Sequence, residues 1–269
     1  MKHTQECFDP EGYISDKWDN YFRVYDRYLN KYVDTDVTFV EIGVKNGGSL
    51  FMWREFFGPK ARIIGIDLNP GAKQFEEHGF EIFIGDQNSV EFWDDFYKQV
   101  GPIDAMLDDG GHRNDNQIIT TYHALKNMKD GGVLLVEDVH TSYMKGFGNP
   151  SEFSFLSYCK LLADGVQKNE NIDADFVDVE ISDKIDALHV HEGVIVFDVV
   201  EKRKVGERVE LGKKTIDAED FRFHEEETQI EEKAKALGNT KMSKYLFKKK
   251  WKMQRNSIIA DRVKPYFKK

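Results

Sequence analysis

Residues 38–53, TFVEIGVKNGGSLFMW, decide how the rest of the chain is read. "TFVEIGV" is an unbroken apolar run of strand length, and "SLFMWREFFG" (49–58) places its apolar residues at helical spacing. Between them lies a turn rich in glycine, which lets the backbone bend tightly and approach a ligand or another segment closely. A buried strand, a glycine turn and a helix in that order open an α/β sheet.

The same alternation continues outward. "RIIGIDL" (62–68) and "FEIFIGD" (80–86) read as strands two and three. "SVEFWDDFYKQVG" (89–101) is a helix with a serine cap, followed by the strand "IDAMLDD" (103–109). "NQIITTYHALKNMKDGG" (116–132) is expected to be a helix stopped by Gly131 and Gly132, and "VLLVEDV" (133–139) a fifth strand. "SEFSFLSYCKLLADGVQ" (151–167) reads as helical. "ALHVHEGVIVFDVVEK" (187–202) reads as two strands turning at Glu192-Gly193, an antiparallel hairpin at the sheet edge. Strands apolar along most of their length indicate a mostly parallel sheet with helices on both faces. The N-terminal "SDKWDNYFRVYDRYLNKY" (15–32) is helical and aromatic, and Trp18, Tyr21 and Tyr25 offer either sugar-stacking faces or core. The expected organisation is an N-terminal helical segment over 1–36, a lid or wall; a catalytic domain over 37–205; and a charged extension over 206–269.

The chain has 269 residues and a net charge of -10, which argues against a nucleic-acid partner. It holds only two cysteines, so a disulfide framework is not expected and a cytoplasmic location is. No apolar run is long enough for a transmembrane segment, and the N-terminus is too polar for a signal peptide. The charge is segregated: "DAEDFRFHEEETQIEE" (217–232) is acidic and "KMSKYLFKKKWKMQRN" (241–256) basic. The two halves suit a solvated helical tail, a homo-oligomer contact, or a docking partner such as an anionic surface.

Ligands of open α/β sheets sit beyond the carboxyl ends of the strands. Strand one ends in a G-x-x-x-G-G turn, which does not meet the dinucleotide fingerprint. Strand two ends in Asp67, placed to accept ribose hydroxyls, and strand three in Asp86 and Gln87, which can reach an adenine edge. No G-K-[ST] phosphate loop is present, so a phosphate-free adenosyl ligand such as S-adenosylmethionine fits best. Strands four and five end in "LDDGGH" (107–112) and "VEDVH" (136–140). As neighbours they would bring Asp108, Asp109, Glu137 and Asp138 together. Four carboxylates repel unless protons or a cation relieve them, and Mg²⁺ suits an all-oxygen set. Asp108 and Asp109 point to opposite faces, one toward an adenosyl ligand and one toward the metal. His112, past two glycines, can take a proton near neutral pH.

"EIGVKNGGSLFMW" (41–53), "GIDLNP" (65–70), "GDQNS" (85–89), "LDDGGH" and "VEDVHTSY" (136–143), in that order, resemble the S-adenosylmethionine-dependent O-methyltransferases of macrolide sugars, the mycinamicin and macrocin type. The resemblance runs from about Lys17 to Lys202. It implies a Rossmann-like class I methyltransferase fold with a seven-stranded sheet, and metal-dependent methyl transfer to a sugar hydroxyl of a glycan or glycosylated metabolite. It implies Asp109, Glu137 and Asp138 as metal ligands, with His112 as general base. Glu41, Gly43, Ser49, Asp67, Asp86 and Gln87 would line the adenosylmethionine site, with Asp108 near its methionine end. The sequence departs from the family in having "DDGGH" where a serine commonly precedes the histidine, and in its tail after about residue 205. Two other readings stand beside it: an Fe(II) hydroxylase of the cephalosporin-hydroxylase-like group, and a non-catalytic adenosyl-binding scaffold.

Overall fold

The computed structural model describes residues 1–9, 11–148, 152–167, 179–204, 206–207, 209, 211–214, 224–236, 238 and 240–267. The chain divides into two compact units, Met1–Gly206 and Glu207–Lys269. In the first, α1 (Asp19–Leu29) precedes β1 (Thr38–Ile42), α2 (Gly48–Phe57), β2 (Arg62–Asp67), β3 (Glu81–Ile84), α3 (Val90–Val100), β4 (Ile103–Asp108), α4 (Asn114–Asn127) and β5 (Met128–Val136). After these come α5 (Phe155–Gln167), the short α6 (Val179–Ser182), β6 (Ile185–Val190) and β7 (Ile195–Val199). The second unit contains α7 (His224–Ala236), which packs back on α8 (Lys241–Val263).

The seven strands form one sheet in the order β3-β2-β1-β4-β5-β7-β6. The first five are parallel, and β7 pairs antiparallel with both β5 and β6. The expected α/β sheet with an antiparallel edge hairpin is therefore present. Because β1 lies between β2 and β4, the chain leaves β1 in opposite directions along the sheet, which opens a crevice above the carboxyl ends of β1 and β4.

Alternation along the strands feeds two cores. Ala105, Leu107, Val133 and Leu135 face the layer of α1 and α2, with Tyr25, Trp53 and Phe57. Met106, Leu134 and Val136 face the layer of α3, α4 and α5, with Trp93, Leu125 and Phe155. Trp53 is fully buried, its ring 4.9 Å from that of Phe39 and 5.2 Å from that of Tyr25. The serine cap expected at α3 is present: Ser89 Oγ accepts from the Phe92 N–H at 3.1 Å.

One boundary differs from expectation. The helix expected to run to Gly131 ends at Asn127, and Met128 is already extended, so Gly131 and Gly132 lie inside β5. Gly131 has φ +76° there, and the β4–β5 register shifts between Ile103 and Ala105. A glycine pair marks a strand irregularity as readily as a helix end.

Gly43, directly after β1, has φ +93°, and a Cβ there would sit 2.1 Å from the Asp109 carbonyl oxygen. Gly79 has φ +82° but nothing within 4 Å of a built Cβ. Gly79→Ala is thus expected to cost about 1 kcal/mol of backbone strain. Gly43→Ala adds overpacking to that strain and is expected to cost about 2–5 kcal/mol. Urea denaturation of the two variants measures the difference, and equal losses would show that the β1 and β4 turns do not press together.

Candidate active site

Register places the acids. Ile42 pairs with Asp108, and Asp108 with Val136, so the next residues, Gly43, Asp109 and Glu137, lie side by side beyond the sheet. The ladder runs one step further through Asp109 N–H to Ile42 O (3.1 Å) and Glu137 N–H to Asp108 O (2.9 Å). A cavity of about 1030 Å³ opens above these strand ends.

Asp108 and Asp109 diverge as strand alternation requires. Asp108 is buried on the α4 side, where it accepts from Gln87 Nε2 (3.1 Å) and the Gly110 N–H (3.2 Å). Burial pushes its carboxyl up to about 6, against those hydrogen bonds. Asp109 turns to the other face, onto Lys17.

Lys17 was not singled out by the sequence, yet its ammonium organises this end of the sheet. Its Nζ lies 2.5 Å from Asp109 Oδ2, 3.3 Å from Glu137 Oε2 and 3.7 Å from Glu41 Oε1, with the side chain 2% exposed. Burial alone would lower its pKa, but Glu137, Asp109 and Glu41 outweigh burial and hold it well above an ordinary lysine. Burial raises Glu137, helped by the charge of Asp109 and opposed by Lys17. Glu137 Oε1 also accepts from the Tyr25 hydroxyl, and Asp138 Oδ1 from that of Tyr21 at 2.6 Å. Tyr21 and Tyr25 are both buried, so they are core residues whose hydroxyls clamp acids, not sugar-stacking faces; Trp18 is exposed. Tyr21 and Tyr25 are four apart on α1, so their hydroxyls share one face, whereas Lys17 precedes the helix and carried no such local signal.

Asp109, His112 and Asp138 can each offer one ligand atom with all three within 4.8 Å of one another. His112 Nε2 lies 3.6 Å from Asp138 Oδ2 and 3.9 Å from Asp109 Oδ1, while its buried Nδ1 has no partner among the described residues. Asp138 and His112 are left-handed, at φ +53° and +54°. Thr141 Oγ lies 2.7 Å from both of their carbonyl oxygens, which share its one proton. Glu137, expected as the third metal ligand, lines the cavity, but its carboxylate is engaged by Tyr25 and Lys17.

The expected cofactor residues divide into wall and support. Gly43, Ser49, Asp67, Asp86 and Gln87 line the cavity. Asp67 accepts from the N–H groups of Lys45 and Asn69 (both 2.8 Å), and Asp86 from that of Asn88 (2.9 Å). Glu41 and Asp108, by contrast, lie behind the wall. Glu41 is fully buried and accepts from Ser49 Oγ (2.7 Å) and Trp53 Nε1 (3.0 Å). Gln87 faces the cavity, but its amide is spent on Asp108, Thr120 and the Gly111 N–H. The reason is shared: a strand-end polar group enclosed by helices must find protein partners.

Sheet order, flanking helices and the cavity above the carboxyl ends are those of a Rossmann-like methyltransferase fold. The chain is similar to mycinamicin VI 2''-O-methyltransferase of Micromonospora griseorubida, 35% identical over 188 residues, covering 63% of this chain and 45% of that one. It is 32% identical over 174 residues to demethylmacrocin O-methyltransferase of Streptomyces fradiae, covering 59% and 43%. The chain spans about half the length of the curated relatives it matches. Its fold matches the solved structure of MycE methyltransferase from the mycinamycin biosynthetic pathway, in complex with Mg and SAH, with TM-score 0.64 and 27% identity over 76% of this chain and 55% of that one. No family model matches the chain.

Lys17→Met would leave Asp109, Glu137 and Glu41 without their buried counter-charge. It is expected to lower unfolding free energy by about 3–5 kcal/mol in buffer free of divalent cations. Adding Glu137→Gln should return part of that loss, giving a coupling of about 1–3 kcal/mol in a double-mutant cycle. Additive losses would mean that the ammonium does not act on Glu137.

Proposed function

We propose that this chain is an S-adenosylmethionine-dependent O-methyltransferase that methylates a sugar hydroxyl of a glycan or glycosylated metabolite, with a divalent cation, Mg²⁺, and His112 as general base. The observation that carries the reading is the Asp109–His112–Asp138 cluster at the mouth of an adenosyl-sized crevice. Its counterpart in fold, MycE, was solved with Mg, SAH and mycinamycin VI. Cytoplasmic placement accords with two buried free cysteines, Cys7 and Cys159. No helix of the described residues is long and apolar enough to cross a membrane.

The donor set fits a divalent cation. Glu41, Asp109 and Glu137 share a single ammonium, Lys17, which leaves negative charge uncompensated. A hard cation takes oxygen, so Asp109 and Asp138 would hold it with Glu137 beside them, and the imidazole stays free for the proton. When bound, such an ion supplies Lewis acidity that lowers the pKa of an acceptor hydroxyl. Asp67 and Asp86 would take the adenosyl part, and Gly43 and Ser49 the methionine side, with Glu41 and Asp108 bracing that wall from behind.

The acceptor oxygen attacks the sulfonium methyl carbon, forming a C–O bond as the C–S bond breaks and the electron pair returns to sulfur. The hydroxyl proton passes to His112 Nε2, the ring nitrogen that faces Asp138 and Asp109. Alignment supplies the remaining rate: the wall must hold methyl and oxygen in line with water excluded. The cluster holds one histidine among the described residues; His140, whose Nδ1 lies 4.0 Å from Asp138 Oδ1, falls outside the set, which weighs against the two-histidine site of an Fe(II) oxygenase.

Labelled adenosylmethionine with a panel of sugar-bearing acceptors, read by mass, tests the reading. His112→Ala is expected to lower turnover about 10²–10⁴-fold with donor affinity nearly unchanged. Asp109→Asn and EDTA should each abolish turnover, with Mg²⁺ restoring only the EDTA-treated enzyme. Full activity in EDTA would refute the metal, and a chain that binds no adenosylmethionine by calorimetry would refute the whole reading.

A further inference from the structure

The cavity is lined by residues between Ile14 and Asp138, all of the first unit. The 29 residues from 241 onward carry eleven lysines and arginines and one acid, whereas the other 240 carry 27 basic and 47 acidic residues. A chain of net charge -10 thus ends in a segment of net charge +10, by eleven minus one. Most of it is α8, opened by Thr240, whose hydroxyl oxygen accepts from the Ser243 N–H at 3.1 Å.

In the first turns of α8, Met242, Tyr245 and Leu246 are 67%, 62% and 56% exposed. Their spacing of three and four puts them on one face. Lys249, seven residues after Met242, prolongs the same line; Lys241 and Lys248 border it on one side and Lys250 on the other, all exposed. The helix therefore presents an open apolar line set among ammonium groups.

We propose that α8 docks on the surface of an anionic lipid bilayer, with Met242, Tyr245 and Leu246 entering the boundary between headgroups and acyl chains. The lysines alongside keep their charges at lipid phosphates while their alkyl stems lie along the apolar surface. The helix lies on the bilayer and does not cross it, in keeping with the lack of any spanning helix among the described residues. A nucleic-acid backbone would reward the lysines but leave the apolar line unburied. A second copy meeting the same face would set Lys249 against itself. An anionic apolar boundary satisfies both features. The inference does not rest on methyl transfer, and either can fail without the other.

Sedimentation of the 269-residue chain with phosphatidylcholine vesicles, with and without phosphatidylglycerol as a minority lipid, tests the docking. Binding is expected only where phosphatidylglycerol is present, and it should fall as salt is raised. Neutralising Lys248→Gln, Lys249→Gln and Lys250→Gln together should weaken partition by about a hundredfold, about fivefold per lysine. Leu246→Ser should weaken it by about tenfold by removing buried apolar area. Neither variant should change donor affinity measured by calorimetry, which reports that the first unit is intact. Equal binding to both vesicle types, binding to neither, or Leu246→Ser binding like the parent would each overturn the proposal. So would self-association or RNA binding that depends on Leu246 in place of lipid binding.

Discussion

A single ammonium, buried where three strand ends meet, is the constraint on which the rest of this structure depends. Glu41 comes from β1, Asp109 from just beyond β4 and Glu137 from just beyond β5, and all three reach Lys17. Carboxylates enclosed in this way face a desolvation cost that only a cation, a proton or well-placed donors can offset. Lys17 supplies the cation, Tyr25 and Trp53 supply donors, and the raised pKa values of Glu41 and Glu137 show that compensation is incomplete. The segment before α1 is thereby stitched to the sheet by charge as well as by packing.

The same geometry divides labour between two adjacent aspartates. Asp108 is walled off among Gln87, Thr120 and the Gly110 N–H, so it stiffens the turn that follows it. Asp109, one step on and on the opposite face, keeps 21% of its side chain exposed and meets both Lys17 and the cavity. One aspartate fixes the backbone of the "DDGGH" turn and the other presents charge. The two glycines are needed because Gln87 and Asn116 crowd them: a Cβ on Gly110 would lie 2.2 Å from Gln87 Oε1, and one on Gly111 2.4 Å from Asn116 Oδ1.

Much of the fold was legible because strands and helices announce themselves over short windows. Apolar runs, a serine cap and a Glu-Gly turn located β1 to β7 and the edge hairpin, and the adjacency of β4 and β5 predicted that their terminal acids would meet. Partners chosen across the chain were not legible in this way. Lys17 is 92 residues from Asp109 and 120 from Glu137, and no local pattern encodes such a pairing. Glu41 was expected at the ligand site from the family resemblance, and Asp108 and Gln87 as polar groups at strand ends. Whether such a group meets a ligand or a neighbouring side chain depends on how closely the next helix packs. Gly131 and Gly132 show the opposite limit: the glycines were visible, but the same residues serve a helix end and an irregular strand.

The strained backbone at the site follows from these partners. Among the described residues four non-glycines have positive φ, and three of them, Lys45, His112 and Asp138, line the cavity. Each costs about 1–2 kcal/mol relative to an ordinary conformation, so each persists only where neighbours leave no alternative. Asp67 accepts from the Lys45 N–H, and Thr141 spans the carbonyl oxygens of His112 and Asp138. The imidazole and the carboxylate it faces are therefore set by one shared hydroxyl, not by two independent loops. Thr141 has one proton for two acceptors, so both turns are packed against one hydroxyl and their carbonyl oxygens compete for it.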